Sequence, residues 1–476
     1  MKQADPRYKW YVLVIACVGS MMGPLDGTIV SVSLPSIARS LNAGFDAVIW
    51  IPTAYLLTIS ILLLPIGRLS DMIGRKRIFL WGFAIFVLGS FLCSLAPNAT
   101  FLIAARILQG AGAACIMATS TALITCAFPP RQRGRVIGIN AMCIYIGLAL
   151  GPPLGGFLTV ALGWQSIFWV NVPIGICTMI AAYLIIEKDC ASERRGFDLK
   201  GSVAFAAMLI TLLLFLTFGE AWGYGSPLIV ALLLLSIVSL VTFLRMEKKA
   251  GSDAMIDLSL FRSNRLFAMG SISALLNYTS YFWTPFIISF YAQSVMELTA
   301  AETGLILLIM PIIMACIAPV SGILSDRIGS RVLATGGMML ICAGLLEMTL
   351  LNGGSADGKV LVSGMVLMGV GMGLFSSPNT SAVMSSVGND RAGLASGTIS
   401  TMRTVGQTVS LSMAGALIAI MASTALVTAI FSGQVIHPTP EQTAQLLSGF
   451  RLAFIASAIL SVLGAVASAI RPAQVR

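Results

Sequence analysis

From Ile51 to Ile66 the chain carries no charge at all, and then Arg68, Asp71, Arg75, Lys76 and Arg77 crowd into one short loop, GRLSDMIGRKR, Gly67–Arg77. Apolar runs of this kind recur along the whole length. Roughly 20 such residues are what a helix needs to cross a bilayer. Hydrophobic residues make up 57% of the 476 and charged ones 10%, against about 25% charged in soluble domains. A soluble core cannot hide that much apolar surface, so lipid is the solvent this chain is written for, and the expected fold is all-α and integral to a membrane.

Runs and breaks predict fourteen spans: 10–34, 47–66, 78–95, 101–125, 135–160, 167–186, 199–219, 227–245, 266–291, 303–322, 331–351, 360–382, 392–428 and 447–470. The first is too long for a signal-peptide core and lacks a small-residue cleavage site, so it is read as a retained helix. The basic residues test this count. With the N-terminus inside, only Arg39, Lys359 and Arg451 fall in outer segments, and Arg106 and Arg403 fall within spans. The rest of the 29 Lys and Arg lie inside, as the positive-inside rule requires. That distribution also accounts for the net charge of +10 without nucleic acid as a partner. Eight of nine cysteines lie in spans or, for Cys126, at the edge of one, and Cys190 in a loop. None has metal-ligand spacing, so they read as small apolar side chains.

The loop has an echo. GILSDRIGSR, Gly322–Arg331, repeats Gly67, Asp71 and Gly74 as Gly322, Asp326 and Gly329, again after the second span of a group of six. Spans 1–6 and 9–14 therefore read as parallel halves, an architecture known among transporters. The expected divisions are residues 1–186, 187–265 with two extra spans, and 266–476. The loop glycines allow tight turns, and Asp71 can accept from arginines or a helix N-terminus. The group can latch two halves together, or simply anchor the loop inside.

Several motifs in order resemble the major facilitator superfamily, in its fourteen-helix drug:proton antiporter branch, over nearly the whole chain. Gly67, Leu69, Asp71, Gly74, Arg75 and Lys76 fit that family's signature loop, with Met72 in place of its usual Arg. LDGTIVSVSLP, Leu25–Pro35, resembles the branch's first-helix motif, RILQGAGAA, Arg106–Ala114, the fourth-helix motif, and GLALGPPLGG, Gly147–Gly156, the fifth-helix antiporter motif. The resemblance implies two six-helix bundles plus two extra helices. It also implies export of amphipathic, lipophilic or cationic drugs by alternating access, with Arg106 tuning a coupling carboxylate that the sequence does not identify. Small-molecule substrates, protons and the bilayer are the partners. The functional unit is a monomer, an adaptor protein is left open, and no cofactor or metal is called for.

Residue chemistry narrows the site. An ionised carboxylate within a span is costly, and Asp26 is the leading proton site, with the rival reading that it is solvated at the outer mouth. Glu347 is a second candidate, facing either the cavity or the outer interface, and Glu220 a weak third. Gly147, Gly151, Gly155 and Gly156 allow close helix packing, and Pro152 withholds a helical donor. Asn277, Tyr278 and Tyr281, in NYTSYFW, suit a cavity wall because aromatic faces attract cations. Asn140, Tyr145, Asn379 and Gln407 are weaker candidates of the same kind. Arg403 can hold Glu347 or bind an anionic group on a substrate. No G-x-x-x-x-G-K-[ST] loop is present, so active transport would run on an ion gradient. One charge crossing 100 mV is worth about 2.3 kcal/mol, roughly fifty-fold. The rivals are uptake or facilitated transport of a metabolite on the same fold, and a non-transporting membrane receptor. An enzyme is disfavoured, because the only histidine, His437, lies in an outer loop with no cluster around it.

Overall fold

A computed structural model describes residues 7–128, 130–187, 199–250, 258–354, 357–387, 392–431 and 439–472, and among them only helices occur. In chain order these are α1 (Tyr8–Ser40), α2 (Phe45–Ile73), α3 (Arg75–Ser94), α4 (Ala99–Ala127), α5 (Pro130–Leu162), α6 (Ser166–Trp169) and α7 (Asn171–Ile185). Then come α8 (Leu199–Trp222), α9 (Pro227–Ala250), α10 (Leu258–Ser263), α11 (Arg265–Tyr281) and α12 (Thr284–Ser294). The remainder are α13 (Ala300–Ile328), α14 (Ser330–Met348), α15 (Asp357–Ser385), α16 (Ala392–Ala422), α17 (Thr424–Phe431) and α18 (Pro440–Ile470). Local chemistry sets several starts. Asn98 accepts from Phe101 N at the head of α4, and capping boxes of Thr299 with Glu302 and Thr439 with Gln442 open α13 and α18.

Among the described residues thirteen helical spans are long and apolar enough to cross a membrane, one of them, Ser166–Ile185, made of α6 and α7 together. The difference from the expected fourteen lies at the ninth span. There α11 stops at Tyr281 and α12 starts at Thr284, leaving pieces of 17 and 11 residues. Pro285 sits in the first turn of α12 and has no N–H to return to the Tyr281 carbonyl, so the helical ladder loses a bond at the break. Trp283 plugs the break. It is fully buried, and its indole donates to Ser457 Oγ at 2.7 Å. The thirteenth span is also shorter than expected, because Ser423 takes a left-handed φ of 51° and separates α16 from α17.

The signature loops prove to be the same structure twice. Gly74 (φ 106°, ψ 132°) and Gly329 (φ 89°, ψ 144°) each end one helix and begin the next, in a region essentially reserved for glycine. Each donates its N–H to the serine four residues back, Ser70 or Ser325, at 3.0 Å. Those serines in turn donate to Gly67 O and Gly322 O, both at 2.7 Å. The serine belongs to the repeat, although Gly and Asp spacing alone first drew attention to it.

Two helix pairs make the main contact between the halves. Away from the signature loops α5 meets α13, and α2 meets α16 along much of its length, from Ile49 beside Gly415 to Leu64 beside Gly397. A Cβ on Gly156 would stand 2.4 Å from Ala300 O, and one on Gly304 2.6 Å from Pro152 O. Further along, Ser60 and Thr408 hydroxyls lie 3.2 Å apart. The extra helix α8 lies over the α2/α16 seam through Phe205, Leu209 and Leu213, which join Leu57 of α2 and Val405 and Val409 of α16 in one apolar cluster. The α5/α13 seam has no such cover among the described residues.

The α5 motif therefore serves two faces. Gly147, Gly151 and Gly155 lie on α1, where added Cβ atoms would stand 2.7 Å from Met21 O, 1.9 Å from Thr28 Oγ1 and 2.5 Å from Ile29 O, while Gly156 lies on α13. Gly151→Ala and Gly156→Ala should each cost about 1–3 kcal/mol of overpacking and lower the apparent melting temperature of the purified protein. Gly336→Ala, where a Cβ would meet nothing within 4 Å, should leave it unchanged or raise it slightly. Equal effects at all three positions would refute the seam. Likewise Gly74→Ala and Gly329→Ala, forced into positive φ, should each destabilise by about 1–3 kcal/mol, and similar losses at the two would mark the duplicated turn.

Candidate functional site

Asp26 sits more than halfway along α1, fully buried. It is therefore not the solvated carboxylate at the outer mouth that the sequence left possible. Its Oδ2 accepts from Arg106 Nη1, and its Oδ1 accepts from Gln109 Nε2 at 2.8 Å and Asn171 Nδ2 at 2.7 Å. The Arg106–Asp26 contact is an ion pair with both side chains fully buried.

The motif RILQG explains itself here. Arg106 and Gln109 stand three residues apart, so both face α1 from one side of α4. Gln109 also accepts from Arg106 Nη1 at 2.6 Å and donates to Ser90 Oγ of α3 at 2.8 Å. The glycine that follows, Gly110, lets α2 approach so closely that a Cβ would stand 2.7 Å from Tyr55 O. That approach brings the Ile51 carbonyl within 3.3 Å of Arg106 Nε and lays the Tyr55 ring 4.0 Å from the guanidinium carbon. Tyr55 donates its hydroxyl to Gly23 O of α1 at 3.2 Å. Five helices of the N-terminal half thus converge on one charge pair. A buried pair of this kind is costly to break from one side, about 3–5 kcal/mol.

Two cavities lie where the halves meet. One borders Arg106 and Tyr55 and is closed by Gly27, Thr28, Phe282, Phe286 and Leu411. The other, of about 150 Å³, lies among α5, α11, α15 and α16 and is lined by Tyr145, Tyr278, Ser376, Asn379, Thr380, Ser400 and Arg403, with apolar residues between them. Tyr145 and Ser376 bridge the halves there, hydroxyl to hydroxyl at 2.8 Å.

The other candidates scatter. Glu347 is at the far end of α14, accepting from Ser363 Oγ; it lines neither cavity and is joined to neither Asp26 nor Arg403. Asn277 is fully buried and donates to Met372 Sδ at 3.1 Å, inside the C-terminal half. Tyr281 packs its ring 5.9 Å from that of Tyr278 but stays out of the cavity, as do Asn140 and Gln407. In the loops, Arg75 donates to Cys126 of α4, and Lys76 donates to Tyr183 O at 2.8 Å and to Ile186 O, at the end of α7, where a cation suits the helix dipole. Arg331 is exposed in the first turn of α14. The side chains of Asp71, Asp326 and Glu220, and all of Cys190 and His437, lie outside the described residues.

Sequence reasoning missed Gln109, Asn171 and Arg471. Gln109 stood within the quoted motif, so its spacing from Arg106 was a usable signal. Asn171 and Arg471 offered none. Arg471, counted as one more inside cation, is fully buried and donates to Asn379 Oδ1 at 2.9 Å and to Ser330 O. It ties the cavity wall to the residue after the second signature turn. Burial, and then the charge of Arg331, lower its pKa to about 10, so it remains a cation at neutral pH.

Known proteins bear on this arrangement. Residues 16–411 match the Major Facilitator Superfamily as a family. Over 83% of its length the chain is 34% identical to the riboflavin transporter RibZ of Clostridioides difficile, covering 85% of that protein. Over 88% it is 34% identical to the multidrug resistance protein Stp of Mycobacterium tuberculosis, covering 78%. The tetracenomycin C resistance and export protein of Streptomyces glaucescens is 31% identical over 86% of the chain and 76% of its own. Among solved structures, a bacterial homolog of the human lysosomal transporter Spinster, inward-facing and unoccupied, superposes with a TM-score of 0.68 over 98% of this chain and 97% of that one, at 16% identity. The chain belongs to the major facilitator superfamily: it is a multi-pass membrane transporter and not an enzyme.

Proposed function

We propose that this transporter is a proton-coupled antiporter that exports amphipathic, lipophilic compounds across the plasma or inner membrane by alternating access. Residues 1–186 and 266–476 form the two rocking bundles, both termini are cytoplasmic, and α11 with α12 makes the fourteenth crossing. The observation that carries this is the fully buried Asp26, shared by Arg106, Gln109 and Asn171 beside a cavity between the halves. A carboxylate so placed can be neutralised in two ways, by Arg106 or by a proton. Protonation cancels its hold on Arg106 and frees the guanidinium to find another partner, and that exchange changes what α1 and α4 offer each other. The signature loops, with Gly67, Asp71, Gly74, Arg75 and Lys76 in one half and Gly322, Asp326, Gly329 and Arg331 in the other, latch the cytoplasmic gate.

Export rather than uptake is favoured by the relatives named for resistance and by the α5 motif. Uptake or facilitated movement of a metabolite is the second reading, because one relative at 34% identity is named a riboflavin transporter. A cationic substrate fits the tyrosine faces of the larger cavity but would have to share it with Arg403.

In everted vesicles with an acid interior, a panel of cationic, neutral and anionic fluorescent amphiphiles should include compounds whose uptake releases protons. Asp26→Asn should abolish that coupling in the protein that folds, with transport compared per amount of folded transporter because the change leaves Arg106 without its counter-charge. Undiminished gradient-driven uptake by the mutant would remove Asp26 from the mechanism. A companion test concerns the pair. Arg106→Gln strands a buried carboxylate and should cut the folded yield sharply, consistent with a loss of about 3–5 kcal/mol. Adding Asp26→Asn should restore part of the yield on size-exclusion chromatography; strictly additive losses would mean the two do not act as a pair.

A further inference from the structure

Arg403 lies within the part of α16 that is long and apolar enough to span a membrane, Gly397–Ala422, and it opens onto the 150 Å³ cavity. A guanidinium at membrane depth needs a counter-charge or water. The one carboxylate the sequence offered as a partner, Glu347, stands at the far end of α14 and bonds Ser363. Asp26 already serves Arg106. Among the described residues no acid lines the cavity and none forms an ion pair with Arg403.

The remaining polar groups of the wall are hydroxyls and one amide: Tyr145, Tyr278, Ser376, Asn379, Thr380 and Ser400. Hydroxyls can donate to an anion as readily as they accept. Behind the wall Asn379 is held by a second buried cation, Arg471, which adds positive potential. The space is several times the ~10–15 Å³ that one water requires, and rings of Tyr145, Tyr278 and Phe375 give it apolar faces.

We infer that this cavity is a binding site for amphipathic aromatic anions, with Arg403 as the residue that takes the carboxylate or sulfonate group and the tyrosines as the wall for the ring. A planar guanidinium matches such groups two bonds at a time. The inference rests on the transporter reading for its purpose, but the site's charge preference is a property of the cavity alone.

Three probes of one shape and different charge test it: 2-naphthalenesulfonate, 2-naphthalenesulfonamide and 2-naphthyltrimethylammonium. Equilibrium dialysis against the full-length protein in nanodiscs gives affinities free of any gradient. The wild type should bind the sulfonate at least about tenfold more tightly than the ammonium. Arg403→Gln should collapse that ratio, and Arg403→Lys should keep part of it. Wild-type preference for the ammonium, absence of saturable sulfonate binding, or an equal loss of all three probes in Arg403→Gln would each overturn the inference. If Arg403→Gln does not fold, the wild-type ratio and Arg403→Lys decide. Everted vesicles separate the two readings. Arg403-dependent sulfonate binding without gradient-driven movement sinks the antiporter and leaves the site. Coupled transport that prefers the cation does the reverse.

Discussion

A single charge pair organises the N-terminal half. Asp26 and Arg106 are both fully buried, and in a bilayer neither can be left alone. To satisfy them the fold must bring α1 and α4 together at one height, supply Gln109 and Asn171 as further donors, and present the Ile51 carbonyl to Arg106 Nε. Each demand has a visible consequence in the chain. Gly110 makes the α2 approach possible, and Gly112 does the same for α3, where a Cβ would stand 2.3 Å from Phe86 N. The small residues of this motif are present because the large charged one must be enclosed.

The same logic runs outward from α1. Three glycines of α5 let it lie directly on the helix that carries Asp26, and a fourth lets it lie on α13. On the proposed mechanism, a displacement of α1 would act on α5, and α5 touches the other half. On the opposite side α8 spans the α2/α16 seam with apolar side chains. The α5/α13 seam, by contrast, is made by close backbone approach at Gly156 and Gly304.

What the sequence made legible followed from what lipid forbids. Charge-free runs located nearly every span, and the two Gly–Asp loops located the repeat, down to a pair of turns with matching φ, ψ and hydrogen bonds. The break within the ninth span was not readable, because hydropathy is blind to the hydrogen bond that Pro285 withholds. Asp26 and Arg106 were singled out by cost, but their direct contact was not readable, because partners on α1 and α4 depend on helix rotation that no single pattern fixes. Glu347 illustrates the converse. Its distance along α14 allowed either the cavity or the interface, and packing against Ser363 of α15 decided for the far end. The cavity wall was only partly readable: Tyr145, Tyr278, Asn379 and Arg403 line it, whereas Asn277 and Tyr281, on the same helix, face elsewhere.

The charges of the two sites also constrain how they can be coupled. A drug:proton exchanger for cations can work by competition, with proton and substrate taking turns on one carboxylate. Here the buried carboxylate belongs to the N-terminal half, and the cavity presents Arg403 from the C-terminal half. An anion bound at Arg403 does not compete with a proton on Asp26. Coupling then has to pass through the geometry of the halves, by way of α1 and α5. The energetics favour this scheme. One charge crossing 100 mV is worth about 2.3 kcal/mol. A proton moving in while an anion moves out shifts two charges in the same electrical sense, so each exchange draws on roughly twice that amount. For a cation the two movements cancel, and only the pH gradient would be left to drive export.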